Sequence, residues 1–513
     1  MKEISMSETK HTNKDQAHAH WAKPWYEIWP QGRRPGAELE ARWAEQARRA
    51  RELRAKDPRP NILFLFTDQQ TSRAMSCAGN PWVNTPNMDA LAEHGIRFTR
   101  SYCTFPACSP ARSSLLTSRM PHETGVIFNG MPIHPSIPTM GEIFRDAGYL
   151  TVWSGKWHLP RSYERAPDGI PGFDNIPAPF GQMRNLHGLG DQVDFLFATD
   201  AEVLLRWELA RVGLPWLYCV SLHNPHDICH WTELPKRHHR NLDRYPPLPG
   251  NFAIRPDEPE ILQMVRQTGS GNQEIPRTVD WDEAQWRAYI AAYYHMTEQV
   301  DRAVGLILNA LYDGGWADNT LVIFTSDHGD GCAAHHWVAK NTFHEEPMTV
   351  PLILSFPGRI PEGAVEDRRL ASGLDVLPTM CDYAGVRPPG IIRGRSLRPL
   401  IEDPQTPWRD FVAAEFSHGK PDAPRFGRMI CGERYKYNLY SIGQRREELF
   451  DLRADPGEMS NRAGGPPWMA TLECHRAWLE QWARETGDAI ASSMLQDAAA
   501  QRKGVETAPL TVP

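Results

Sequence analysis

The sequence predicts an α/β fold: a large mixed, mostly parallel sheet flanked by helices, followed by a small antiparallel sheet carrying one helix. Three observations predict it. Runs such as Asn61-Ile-Leu-Phe-Leu-Phe-Thr67, residues 216–221, residues 320–325 and residues 351–355 are almost continuously apolar. Strands covered on both faces, as in parallel sheets, have that pattern, and helical periodicity lies between the runs. Polar residues, most of them ionisable, stand directly after three of them: Asp68 and Gln69, then His223 and His226, then Asp327 and His328. Open α/β sheets bind ligands at such carboxyl ends. Beyond about residue 405 the pattern changes to short strands at 411–415, 425–430, 435–440 and 448–451, then a helix at 468–485.

Taken in order, residues 1–59 form an extension. Trp21, Trp25 and Trp29 are four apart, but Pro24 and Pro30 prevent one continuous helix through them. Residues 37–56 predict a charged helix with Leu39, Trp43, Ala47, Ala50 and Leu53 on one stripe. That stripe is expected to pack on its own domain, with a second copy of the chain as the competing partner. The main domain is assigned to residues 60–404, a small α+β unit to 405–487, and a tail of low information to 488–513, either docked on a neighbouring subunit or mobile. Helices are further expected at 139–147, 201–212, 280–312 and 375–383, with residues 161–200 an irregular substrate-side loop.

The chain of 513 residues carries 23% charged and 41% hydrophobic residues, ordinary proportions for a soluble globular protein. A formal net charge of -7 with pI ≈ 6.3 argues against nucleic-acid binding, because no basic excess neutralises phosphates. No run approaches the ~18 apolar residues of a membrane span. The first twenty residues are polar, and nine cysteines without regular spacing read as reduced thiols. The expected location is cytoplasmic, or periplasmic if the N-terminus is truncated.

The segment Cys108-Ser-Pro-Ala-Arg112 reads as a helix start, since Pro110 suits a first turn. Free N–H groups and the helix dipole then favour an anion beside Cys108, and Arg112 adds a fork of donors. Gly155-Lys-Trp-His158-Leu follows a predicted strand, so Lys156 and His158 reach one crevice as a compact cation and a proton carrier. A metal role for Asp68 alone would be the minority reading against a cap or turn residue. Cys229, His230, His238 and His239 fit no familiar zinc spacing and are read as part of an insertion.

Cys108-x-Pro110-x-Arg112, residues 84–92, Gly155-Lys-Trp-His-Leu159, Pro225-His226, Thr325-Ser-Asp-His-Gly-Asp330, Lys340 and Glu448 to Glu458 together resemble the ordered motifs of type I sulfatases, in the alkaline phosphatase superfamily. The resemblance spans roughly residues 60–460 and implies an alkaline-phosphatase-like fold. It implies hydrolysis of a sulfate ester, of a sulfated sugar or a small organic sulfate, by Cys108 oxidised to formylglycine and hydrated. The oxidation would need a formylglycine-generating enzyme or an anaerobic maturase. The metal set implied is Asp68, Gln69, Asp327 and His328 with position 108. Gln69 stands where the family often has a second Asp. Ca²⁺ suits these donors, with Mn²⁺ and Mg²⁺ as alternatives. Arg112, Lys156 and Lys340 are assigned to the sulfate oxygens, His226 to the leaving oxygen, His158 to release of sulfate, and Asp327 also to a base role. His223 is either a substrate contact or a packed side chain, and one of His335 and His336 is assigned a substrate contact. Pro160 replaces a family glycine, a change of loop geometry. A phosphonate monoester or phosphodiester hydrolase of the same superfamily is the alternative. A non-catalytic binding protein and an assembly subunit acting through its N-terminal arm stand behind it.

Overall fold

The computed structural model describes residues 37–160, 170–175, 190–231, 244–268, 278–419 and 423–504. Trp21, Trp25, Trp29, His238 and His239 lie outside the described residues, and of Leu39 and Trp43 only the backbone is described. The main sheet has eight strands: β1 (Asn61–Asp68), β2 (Ile96–Phe98), β4 (Leu150–Gly155), β5 (Asp174–Asn175), β6 (Trp216–Pro225), β7 (Thr320–Ser326), β8 (Leu352–Ser355) and β9 (Ala364–Glu366), in the order β5-β4-β6-β1-β7-β8-β2-β9. A separate two-stranded ladder joins β3 (Ser101–Tyr102) to β10 (Ala371–Ser372). β4, β6, β1 and β7 are mutually parallel neighbours, while β8 turns antiparallel.

The apolar run of β1 has a direct cause. Ile62, Phe64 and Phe66 enter one core layer with Leu115, Leu116 and Phe144, whereas Leu63 and Leu65 enter the opposite layer with Phe197, Val300 and Val304. A strand covered on both faces leaves no position for a polar side chain until its end. There the chain meets Asp68.

The helices that matter to the site are α1 (Ala37–Lys56), α2 (Cys108–Thr117), α3 (Gly190–Val203), α4 (Glu283–Asp313), α5 (Met469–Thr486) and α6 (Ala489–Arg502). α1 packs on its own chain. Ala50 is buried, and Ala47 sits so close to Gly315 that a Cβ there would lie 2.6 Å from its Cα. Among the described residues, no helix is long and apolar enough to cross a membrane.

Two expectations about elements are corrected. Residues 190–200 are helical rather than irregular, because Val193, Phe197 and Ala201 recur at helical spacing and are buried against the sheet. Residues 488–504 are also no loose tail. Asp488 caps α6 by accepting from the N–H of Ala491 at 3.0 Å, and Ala491, Met494 and Ala498 pack into the C-terminal core.

That core is covered by the antiparallel sheet β11 (Phe411–His418), β12 (Arg425–Gly432), β13 (Tyr435–Tyr440) and β14 (Glu447–Asp451). A buried charge cluster fastens it to the main domain. His122 Nδ1 lies 2.6 Å from Glu415 and 3.9 Å from Asp488, which also pairs with Arg428 at 2.5 Å. Burial favours the neutral ring, but Glu415 and Asp488 outweigh it and raise the His122 pKa to about 9. The folded pKa therefore exceeds the unfolded one, so this stabilisation is complete below pH ~6.5 and is lost as pH rises through about 9. Its size is about 3 kcal/mol by linkage. Urea unfolding of wild type and His122→Gln is expected to show a stability gap at pH 6 that closes by pH ~10. A gap independent of pH would refute the charged state.

Candidate active site

Four adjacent strands of one parallel run end at the same edge, and each delivers functional side chains there. β1 delivers Asp68 and Gln69, β4 leads to Lys156 and His158, β6 carries His223 and precedes His226, and β7 precedes Asp327 and His328. Gly155 makes the β4 exit possible. It holds φ +96, and a Cβ there would lie 2.0 Å from the Ser221 carbonyl oxygen. The turn brings the Lys156 ammonium to 2.8 Å from Asp68 Oδ2.

The first residue of α2 is Cys108, completely buried, with the chain entering from extended Ala107. Ser109 N–H donates to Asn129 Oδ1 at 2.9 Å, and the Ser109 hydroxyl donates to the His158 carbonyl at 2.6 Å. These bonds tie the helix start to the β4 loop. Around Cys108 Sγ stand Lys340 Nζ at 3.0 Å, His328 Nε2 at 3.2 Å and Asp68 Oδ1 at 3.6 Å. His328 Nδ1 bonds the Gly329 carbonyl at 2.8 Å, which aims Nε2 at position 108. Lys340 Nζ also reaches Gln69 Oε1 at 3.1 Å and His226 Nε2 at 3.2 Å.

Arg112 has a task that the sequence did not assign to it. Its Nη2 donates to Asp68 at 2.7 Å, its Nε to Asp327 at 2.8 Å, and its Nη1 to the Lys156 carbonyl and the Ser221 hydroxyl. With four of its five N–H groups engaged, Arg112 braces the two carboxylates. Nothing in the local sequence could reveal this, because the competing acceptors come from other strands.

Electrostatics follow from this packing. Burial would raise the Asp68 pKa, but Lys156, His226, Arg112 and Lys340 together hold it well below the usual carboxylate range. Burial and then Asp68 push Asp327 up to about 6, against His328 and Arg112. Burial and Asp68 also oppose ionisation of Cys108, yet Lys340, Lys156 and His328 keep it well below an ordinary thiol. Burial, Lys156 and Lys340 keep His226 neutral, and its buried Nδ1 has no hydrogen-bond partner. His158 is exposed at the mouth, in left-handed backbone at φ 57, and the surrounding walls and Lys156 lower its pKa.

The donor set suits a hard divalent cation. Asp68, Cys108, Asp327 and His328 are all buried and place ligand atoms within 4.8 Å of one another. Gln69 adds an amide oxygen beside them, at a non-glycine φ of 70. That left-handed backbone costs about 1–2 kcal/mol and is held by Gln69 N–H to Asp327 and Tyr293 OH to the Gln69 carbonyl. Carboxylates, an amide oxygen and one imidazole fit Ca²⁺, Mg²⁺ or Mn²⁺.

The structure thus brings together Asp68, Gln69, Cys108, Arg112, Lys156, His158, His226, Asp327, His328 and Lys340. Three other candidates are engaged elsewhere. His223 is buried beside the site with Nε2 on Asp227 at 2.9 Å, and its ring lies 5.3 Å from that of His226. His335 stacks on His344 at 3.9 Å, and His336 stacks on Phe252 at 3.8 Å. Both have φ 54, which turns them toward residues 251 and 252 instead of position 108. Asp330, Tyr289, Cys229 and Ser221 support the site without having been assigned a role. For Asp330 a signal existed, its place three residues after Asp327.

Residues 60–386 match the sulfatase family model, and residues 333–481 match that of the C-terminal region of N-sulphoglucosamine sulphohydrolase. The chain belongs to the sulfatase family. It is thereby a sulfuric ester hydrolase of the alkaline phosphatase superfamily. This sulfatase is 31% identical to the Delta 4,5-hexuronate-2-O-sulfatase of Bacteroides thetaiotaomicron, over 84% of this chain and 90% of that protein. Its fold is similar to that of a 2-O GAG sulfatase, with TM-score 0.73 and 30% identity, covering 85% of this chain and 94% of the other. It is also similar to the phosphonate monoester hydrolase of Agrobacterium radiobacter, with TM-score 0.70 and 25% identity over 83% and 96% of the two chains.

Proposed function

We propose that this sulfatase removes sulfate from a sulfated saccharide, with Cys108 matured to formylglycine and a calcium ion held by Asp68, Gln69, Asp327 and His328. The observation that carries the proposal is the convergence of Asp68, His328 and Lys340 on Cys108 Sγ, within 3.6 Å. The hexuronate sulfatase named above supports a saccharide substrate. A formylglycine hydrate supplies an oxygen nucleophile together with a second hydroxyl from which the aldehyde is regenerated, and the cation supplies charge that acidifies that nucleophile.

The chain's own residues do the rest. Lys156 and Lys340 present ammonium groups toward the space above position 108, where they bind and orient the sulfate oxygens. Neutral His226 takes a proton from the Lys340 ammonium at Nε2 and passes it to the leaving oxygen. His158, at the mouth, accepts a proton at release. Arg112 keeps Asp68 and Asp327 ionised and in place. Oxidation of Cys108 would come from a formylglycine-generating enzyme or an anaerobic maturase.

The decisive test is mass spectrometry of the Cys108 peptide from active protein, expected about 18 Da lighter than the thiol form. Full activity from the unmodified thiol would overturn the reading. Desulfation should then be screened on unsaturated hexuronate 2-sulfate, other sugar sulfates, aryl sulfate and phenylphosphonate. A phosphonate rate above every sulfate rate would favour the hydrolase exemplified by the Agrobacterium structure. Chelation by EDTA is expected to lower kcat by at least ~100-fold, with Ca²⁺ restoring it better than Mg²⁺. Undiminished turnover after verified metal removal would refute the cation.

A further inference from the structure

Where a carboxylate binds a cation with either oxygen, the Gln69 amide has one correct face and one wrong one. Its surroundings decide which is presented. Gln69 Nε2 donates to Asp330 Oδ2 at 2.8 Å, and Oε1 accepts from Lys340 Nζ at 3.1 Å. A buried carboxylate that accepts and an ammonium that donates leave one consistent orientation. Cys229 Sγ lies 3.2 Å from Nε2 and 3.4 Å from Oε1, so it favours neither.

Asp330 is itself fixed from behind. Its Oδ1 accepts from the Cys332 N–H at 2.8 Å, and the Tyr289 hydroxyl donates to it at 3.0 and 2.9 Å from the two oxygens. All three residues, Gln69, Tyr289 and Asp330, are fully buried. We propose that Asp330, held by Tyr289, is a positioning residue that locks the Gln69 amide with its oxygen toward the metal. This rests on the calcium reading given above and deepens it. Of the proposed metal-holding side chains, Asp330 hydrogen-bonds Gln69, and it is through this bond that it is proposed to act.

The chemistry predicts a particular failure. In Asp330→Asn the backbone N–H of Cys332 still demands an acceptor, so the new Oδ1 stays with it. The new Nδ2 then faces Gln69 Nε2, two donors meet, and the Gln69 amide turns its N–H toward the cation. The isosteric exchange Gln69→Glu with Asp330→Asn removes the conflict, since Nδ2 donates to one Glu oxygen and the other remains for the metal.

Calcium titration of EDTA-stripped full-length protein by calorimetry, with the calcium-induced rise in Tm as a second readout, tests this. Asp330→Asn is expected to weaken calcium binding by ~10–100-fold, and Tyr289→Phe by a smaller factor. The double variant Gln69→Glu/Asp330→Asn is expected to recover to within about threefold of wild type or better. Unchanged affinity in Asp330→Asn would overturn the proposal. So would a double variant as weak as Asp330→Asn, because a purely structural role is not rescued at position 69. Wild type that binds no divalent cation would overturn this inference and the calcium reading together, whereas normal wild-type binding with an indifferent Asp330 sinks the inference alone.

Discussion

Cys108→Ala is expected to lower kcat/KM on the best sulfate ester by at least ~10⁴-fold, with Tm close to wild type. The fold should tolerate the change, because the helix start is held by Ser109 with Asn129 and by Pro110 rather than by the thiol. Activity falls because Lys340, His328 and Asp68 then converge on a methyl group that carries no nucleophile. Cys108→Ser is expected to be equally poor in multiple turnover, since a single hydroxyl cannot release sulfate by re-forming an aldehyde. Rates from purified variants, normalised to folded protein by circular dichroism, check both. An alanine variant within tenfold of wild type would remove position 108 from the chemistry.

Arg112→Met should show the second large effect, and it should be an effect on stability. Removing the guanidinium leaves Asp68 and Asp327 buried without the group that bridges them at 2.7 and 2.8 Å. Breaking a buried ion pair from one side costs about 3–5 kcal/mol. Calcium should recover part of the loss, because a cation between the carboxylates supplies charge the arginine no longer does. Thermal unfolding with and without calcium measures both quantities. An arginine that clamps sulfate would give the opposite signature, a raised KM with Tm unchanged.

The comparison between sequence and structure is instructive at particular residues. The ends of β1, β6 and β7 were legible because a strand buried on both faces changes abruptly from apolar to ionisable where it leaves the core. Asp68, His226 and Asp327 mark those points. The bracing role of Arg112 was not legible, since it depends on Ser221 and the Lys156 carbonyl, brought alongside only by strand pairing. Proximity along the chain misled for His335 and His336. They precede Lys340 closely, yet left-handed backbone sends them to another surface of the loop. The helix at 190–203 was obscured by the Gly- and Pro-rich stretch before it and by the π-turn at Leu204–Glu208 that follows. For α6, the spacing of Ala491, Met494 and Ala498 is short and weakly apolar, and only the cap at Asp488 announces it.

The sealing of Cys108 has a consequence for how active protein is made. A residue with no surface exposure, enclosed by Lys340, His328 and Asp68, offers a modifying enzyme nothing to grasp once folding is complete. On the chemistry proposed here, oxidation competes with folding during or just after synthesis, and whatever escapes is trapped as inert thiol. Yield of working catalyst should therefore follow the ratio of oxidase to nascent chain, and slowing expression should raise the activity per milligram of purified protein.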